Sequence, residues 1–217
     1  MQITSLIPDM PRHTNAMNDL GLKLGWFKEI GQKVLTSYLQ ATPNDAANAA
    51  GTYAYLAAVR AVRDILCKNG WEIQRRHNLE LTVLTEREIV LLVSSGDKYT
   101  GNEGYEPHTK NPKGTQTQEI VDRNLGQKSL WKEMEPKACG DLDKAPTWIL
   151  LYHIDLKNNE MRMEVSLPIS FDTQEWKVNG WEKRVILPSI EFDVTPVDIT
   201  PDFAPEIEIE INRRVNE

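Results

Sequence analysis

From Asn15 to Gln40 the apolar positions recur at intervals of three and four: Met17, Leu20, Leu24, Phe27, Gly31, Val34 and Tyr38. That spacing puts them on one face of a single helix. Residues 41–45, Ala-Thr-Pro-Asn-Asp, break the pattern. Thr42 is placed to cap a second helix, Pro43 suits its first turn, and Asp45 completes an acidic form of the capping box. The second helix carries Tyr55, Ala58, Val59, Val62, Ile65 and Leu66 on one stripe and runs to Lys68, where Asn69-Gly70 supplies a left-handed stop. A short link between two long amphipathic helices predicts an antiparallel helical hairpin. A turn near residue 42 would set Gly31 opposite Gly51, two small residues that let the backbones approach.

From Trp71 the period changes to two. Leu79, Leu81 and Val83 alternate with polar residues, and Thr85-Glu86-Arg87-Glu88 turns into the apolar run 89–93, which predicts a β-hairpin with a four-residue loop. Residues 94–118 hold four glycines, two prolines and almost no aliphatic side chains. So long a stretch without core material reads as a mobile or functional loop. A short helix on Ile120, Val121 and Leu125 follows, then a turn-rich link over 136–146. The best-specified element is a hairpin over 148–169, with Asn158-Asn159 as a two-residue turn. Pairing Lys157 with Glu160 sets Asp155 opposite Arg162 and His153 opposite Glu164. A strand over 183–187 extends the sheet, 189–194 continues the alternation, and 206–211 (Glu-Ile-Glu-Ile-Glu-Ile) reads as a charged edge strand.

The fold class is therefore α+β, an N-terminal helical hairpin packed with a mainly antiparallel sheet. Residues 1–13 read as an irregular leader, 14–70 as the hairpin, 71–199 as a β-rich region forming one domain with it, and 200–217 as an acidic strand or tail. A doubly wound fold is disfavoured, because strand–helix–strand alternation is missing from the pattern.

Charge changes the picture more than composition does. The chain of 217 residues has a net charge of −7, yet residues 1–132 hold 16 basic and 14 acidic side chains, while residues 133–217 hold 9 and 18. A broad acidic surface repels phosphates and argues against non-specific nucleic-acid binding. No apolar run is long enough to span a bilayer, and no secretory leader is visible. Two cysteines, Cys67 and Cys139, make no disulfide framework or metal spacing, so a cytoplasmic setting is expected.

Dinucleotide, P-loop, zincin and nucleophile-elbow motifs are absent from the sequence. Three groups of side chains remain as candidates. The first is His153, Asp155, Lys157 and Glu164 on the hairpin. Asp155 and Lys157 have the acid–x–Lys spacing of metal-dependent nucleases, in which Asp155 and Glu164 would hold Mg²⁺ or Mn²⁺ and Lys157 would stabilise developing charge. The competing interpretation is an ordinary cross-strand charge ladder. The second is a partner-binding set, Tyr99, Tyr105, Lys110 and Lys113 in the long loop with Trp176 and Trp181, taken to flank a turn at Val178-Asn179-Gly180. The third is Arg75-Arg76, a local anion site.

Weighed together, these features favour a cytoplasmic binding protein without catalytic activity, acting on a protein partner through its sheet, long loop and acidic C-terminal surface, with no cofactor. The alternatives are a metal-dependent phosphodiesterase built on the acid–x–Lys motif, and a small-molecule sensor with a pocket between the helical hairpin and the sheet.

Overall fold

Alternating apolar and polar residues fold into seven strands in the computed structural model, which describes residues 10–76, 78–130 and 145–193. Strands β1 (Glu72–Arg76), β2 (Leu79–Leu84), β3 (Ile89–Ser95), β4 (Thr147–Asp155), β5 (Glu160–Asp172) and β6 (Lys177–Ile186) lie side by side in sequence order. The short β7 (Ile190–Glu191) pairs with β5. Every pairing is antiparallel except β3–β4, which is parallel. Among the described residues the α-helices are α1 (Met10–Asp19), α2 (Leu24–Tyr38), α3 (Ala49–Leu66) and α4 (Thr115–Leu130). The class is α+β with a mostly antiparallel mixed sheet. Among the described residues no helix is long and apolar enough to cross a membrane.

Because side chains alternate across a strand, each face of the sheet collects its own core. One face sets Leu91, Leu150, Met163 and Val165 against Phe27, Ile30 and Val34 of α2 and Ala58, Val62 and Leu66 of α3. The other gathers Leu81, Val90, Ile149 and Leu151 with Val121 of α4 and Trp181 of β6.

The N-terminal stripe is carried by two helices, not one. Gly21 takes a left-handed backbone (φ +66°). The Leu22 N–H then donates to the Met17 carbonyl (2.9 Å) and the Gly21 N–H to that of Asn18 (2.9 Å), a Schellman stop for α1. Arg87 donates to the carbonyls of Asn18 and Asp19, satisfying the same helix end. Helix α1 begins at Met10, inside the stretch read as an irregular leader. The Thr42–Asp45 pair does form, but it closes a separate turn, and α3 starts at Ala49 without a side-chain cap. Gly31 does not face Gly51. A Cβ on Gly31 would collide with Ile190 Cδ1 and lie 2.9 Å from Met163 Cε, whereas nothing approaches Gly51. Its missing side chain lets α2 sit close to the sheet.

The β4–β5 hairpin forms in a different register. Asp155 pairs with Glu160, His153 with Arg162 and Leu151 with Glu164. Asp155 is the cause: its Oδ1 accepts the N–H groups of Lys157 and Asn158 (both 3.1 Å), folding a four-residue loop that ends at Asn159 with φ +53°. A slip of two residues leaves every side chain on its expected face. Val178-Asn179-Gly180 is strand, inside β6, and the turn lies earlier, ending at Trp176. Helix α4 runs through Gly126 and buries Ile120, Val121 and Asn124, leaving Leu125 exposed. The candidate strand 206–211 lies outside the described residues.

Candidate functional site

The parallel pair β3–β4 ends at Ser95 and Tyr152, and the chain after β3 folds back over those ends. The Gly96 N–H donates to the Tyr152 carbonyl (2.8 Å), the Lys110 N–H to that of Ser95 (3.0 Å), and the Lys113 N–H to that of Trp176 (2.6 Å). Facing this corner is the helical layer, with Tyr38 at the end of α2 and the first turns of α3. Between them lies a cleft of about 630 Å³, walled also by Lys110, Pro112, Lys113, His153 and Ile154. That is within the usual range for small-molecule sites.

Three features set its chemistry. The Tyr152 side chain is 5% exposed, and its hydroxyl has no hydrogen-bond partner among the described residues. Burial, with the Tyr55 phenol nearby, pushes the pKa of that hydroxyl up. Lys113 has no ion pair among the described residues, and burial pushes its amine down from the ordinary lysine value. His153 Nδ1 lies 3.3 Å from the Gly96 carbonyl, and burial lowers its pKa despite that contact, so the imidazole is neutral at pH 7. Tyr38 and Tyr55, both half-buried, are likewise shifted up by burial. Among the described residues no carboxylate side chain lines the cleft.

Comparison with protein-family models, curated proteins and solved structures finds no match.

The hairpin cluster singled out from the sequence is divided among three environments. Asp155 is held in its turn, also accepting from Asn158 Nδ2 (2.8 Å), with Arg162 3.6 Å away. Burial alone would raise its carboxyl; the donors from Asn158 and Lys157, with Arg162, outweigh it and hold the pKa low. Lys157 is exposed in the same turn, and His153 faces the cleft. Glu164 is fully buried. Its Oε1 accepts from Ser166 Oγ (2.7 Å) and Arg184 Nε (3.1 Å), and its Oε2 from Arg184 Nη2 (2.6 Å) and the Gly101 N–H (2.9 Å). Four donors occupy the lone-pair sites a carboxylate has, leaving none for a cation. Among the described residues no group of three or more His, Cys, Asp or Glu comes together as a metal site.

The long loop is laid down on the sheet. Arg184 donates to the carbonyls of Asn102 (3.1 Å) and Tyr105 (2.7 Å), Arg162 to that of Lys98 (2.9 Å), and Trp181 Nε1 to that of Pro107 (2.8 Å). Gly101 (φ +71°) rests on β5, where a Cβ would lie 2.8 Å from Arg162 Cβ. The six proposed partner-binding residues are thereby scattered. Tyr99 and Tyr105 stack on each other at 4.9 Å, Trp176 meets the edge of Phe171, Trp181 is buried, and only Lys110 and Lys113 reach the cleft. Arg75 pairs with Glu80 (3.3 Å), which Arg63 also holds (2.5 Å). As neighbours on β1, Arg75 and Arg76 stand on opposite faces, and Arg76 lines a smaller cleft beside Glu119 and Arg123.

Sequence reasoning missed Tyr38, Tyr55 and Tyr152 as site residues, because each sits on an apolar stripe where an aromatic reads as core. The available signal was Tyr152 itself, a phenol in a run of aliphatic strand residues that would need a partner for its hydroxyl.

Proposed function

We propose that the protein binds a small molecule in the cleft between its helical layer and the sheet, acting as a sensor or carrier without catalytic activity. The buried, unpartnered Tyr152 hydroxyl carries this reading. Leaving such a group unsatisfied costs about 1–3 kcal/mol, a cost a ligand's hydrogen bond would remove. The α2–α3 pair, read as an antiparallel hairpin, then forms one wall, and the chain after β3 forms the other. In this reading the loop 96–113 shapes the cleft and holds the ends of β3 and β4, where the first expectation made it a contact surface for a protein.

The test is a thermal-shift screen of common metabolites, with each hit mapped by hydrogen exchange. A ligand present at 100 times its Kd should stabilise the fold by about 2.7 kcal/mol. Its protection should fall on the start of α3, residues 95–96, 110–113 and 152–154. Hits that protect other segments, or that bind Tyr152→Phe as well as the parent, would count against the cleft.

A further inference from the structure

We infer that the cleft recognises a small aromatic or heterocyclic molecule carrying a phosphate or carboxylate, with the anion held by Lys113 and the ring lying against Tyr38 and Tyr55. This deepens the reading above and rests on it. Among the described residues the cleft includes no carboxylate and presents Lys113 and Lys110. Lys113 is half-buried with no ion pair among the described residues, an arrangement that an anion in the cleft would complete.

Two further donor groups and one acceptor line the same space. The first turn of α3 reaches the cleft through Ala50, Gly51 and Thr52. The Ala49 and Thr52 N–H groups bond the carbonyls of Ala46 (2.8 Å) and Asn48 (3.0 Å), which leaves those of Ala50 and Gly51, and the Asn48 side chain does not cap them. The Tyr152 hydroxyl, buried and without a partner among the described residues, belongs to a residue that lines the same cleft. The neutral His153 ring completes the set: with Nδ1 engaged by Gly96, its Nε2 is left for a ligand hydroxyl or amine. The rest of the wall is alanine, proline, isoleucine and two tyrosine rings, with Ser95 and Asn111 as small polar contacts, which suits a flat body with a few polar substituents.

Four probes decide the matter: phenyl phosphate and benzoate as anions, with benzyl alcohol and benzamide as their neutral counterparts. Each is titrated into the 217-residue chain while backbone amide shifts are followed by NMR. The two anions should shift the amides of Gly51, Gly96 and Lys113 and bind about tenfold more tightly than the neutral molecules, the size of one charge-assisted hydrogen bond. Lys113→Met should remove that advantage without weakening the neutral probes. Raising the ionic strength should act likewise, and this keeps the question answerable if the variant does not fold. Equal binding of anions and neutral molecules within the cleft would overturn the anion assignment and leave the cleft intact. Shifts confined to other parts of the molecule, or no binding by any of the four, would overturn both. The ratio between phenyl phosphate and benzoate separates a phosphate ligand from a carboxylate one.

Discussion

The two faces of the sheet are buried by different means. Toward α2 and α3 the covering is aliphatic and aromatic, contributed by regular helices. Toward the loop 96–113 much of it is polar: Glu164, Ser166, Thr100 and Thr109 are all buried there. Apolar burial is non-directional, so the helical face derives stability from area and tolerates adjustment. The loop face relies on donors and acceptors that must meet at set distances, since each unpaired group is costly. A chain segment with hardly any aliphatic side chains can be fixed against a sheet only in this second way.

Breaking one partner on the polar face should have the largest effect. Glu164→Gln leaves Arg184 without its counter-charge and should cost about 3–5 kcal/mol in urea unfolding. The comparison sharpens in the double variant Glu164→Leu/Arg184→Met, which should recover most of that loss while exposing the amides of 96–113 to faster hydrogen exchange. Full protection of the loop in the double variant would mean that the pair does not position it. On the helical face Leu150→Ala should cost about 3 kcal/mol with no change in loop protection. Asn124→Ala should cost about 2 kcal/mol by calorimetry, because its side chain bridges the Thr147 N–H and the carbonyls of Thr147 and Pro168 (3.0–3.1 Å).

Two smaller effects concern the cleft. Burial lowers the His153 pKa below the unfolded value of about 6.5, so the unfolded chain binds the proton more readily. Stability should therefore decline as pH falls below that value and level off beneath the folded pKa. His153→Gln should flatten this part of the pH–stability curve. Tyr152→Phe, which removes the unpartnered hydroxyl and keeps the ring, should leave stability unchanged or raise it by up to about 1 kcal/mol, read from the melting temperature. A marked loss instead would show that the hydroxyl has a structural partner.

What the sequence disclosed follows the same division. The apolar stripe of α3, the Asn69-Gly70 stop, the Thr85–Glu88 loop and the faces of β4 and β5 are all products of local periodicity and turn chemistry, and all were legible. The register of β4–β5 was not, because a two-residue Asn-Asn turn and a four-residue loop capped by Asp155 present the same faces, and only the hydrogen bonds of Asp155 separate them. The role of Glu164 was hidden for a different reason. A glutamate in an alternating strand reads as solvated unless Arg184, 20 residues on, and the Gly101 N–H, 63 residues back, are known to meet it. The cleft was anticipated only as a pocket between helices and sheet; Lys113 and Tyr152 are brought together by the parallel pairing of β3 with β4, which leaves no mark on either strand.

That pairing has a kinetic consequence. Within β1–β3 and within β4–β6, successive strands are joined by links of two to four residues, whereas 51 residues separate the end of β3 from the start of β4. Short links close quickly and the long one slowly, so two antiparallel halves should assemble independently and meet last along one seam. Severing the chain in that connection would turn the seam into a bimolecular interface, and mixing the fragments would measure its strength as an ordinary dissociation constant.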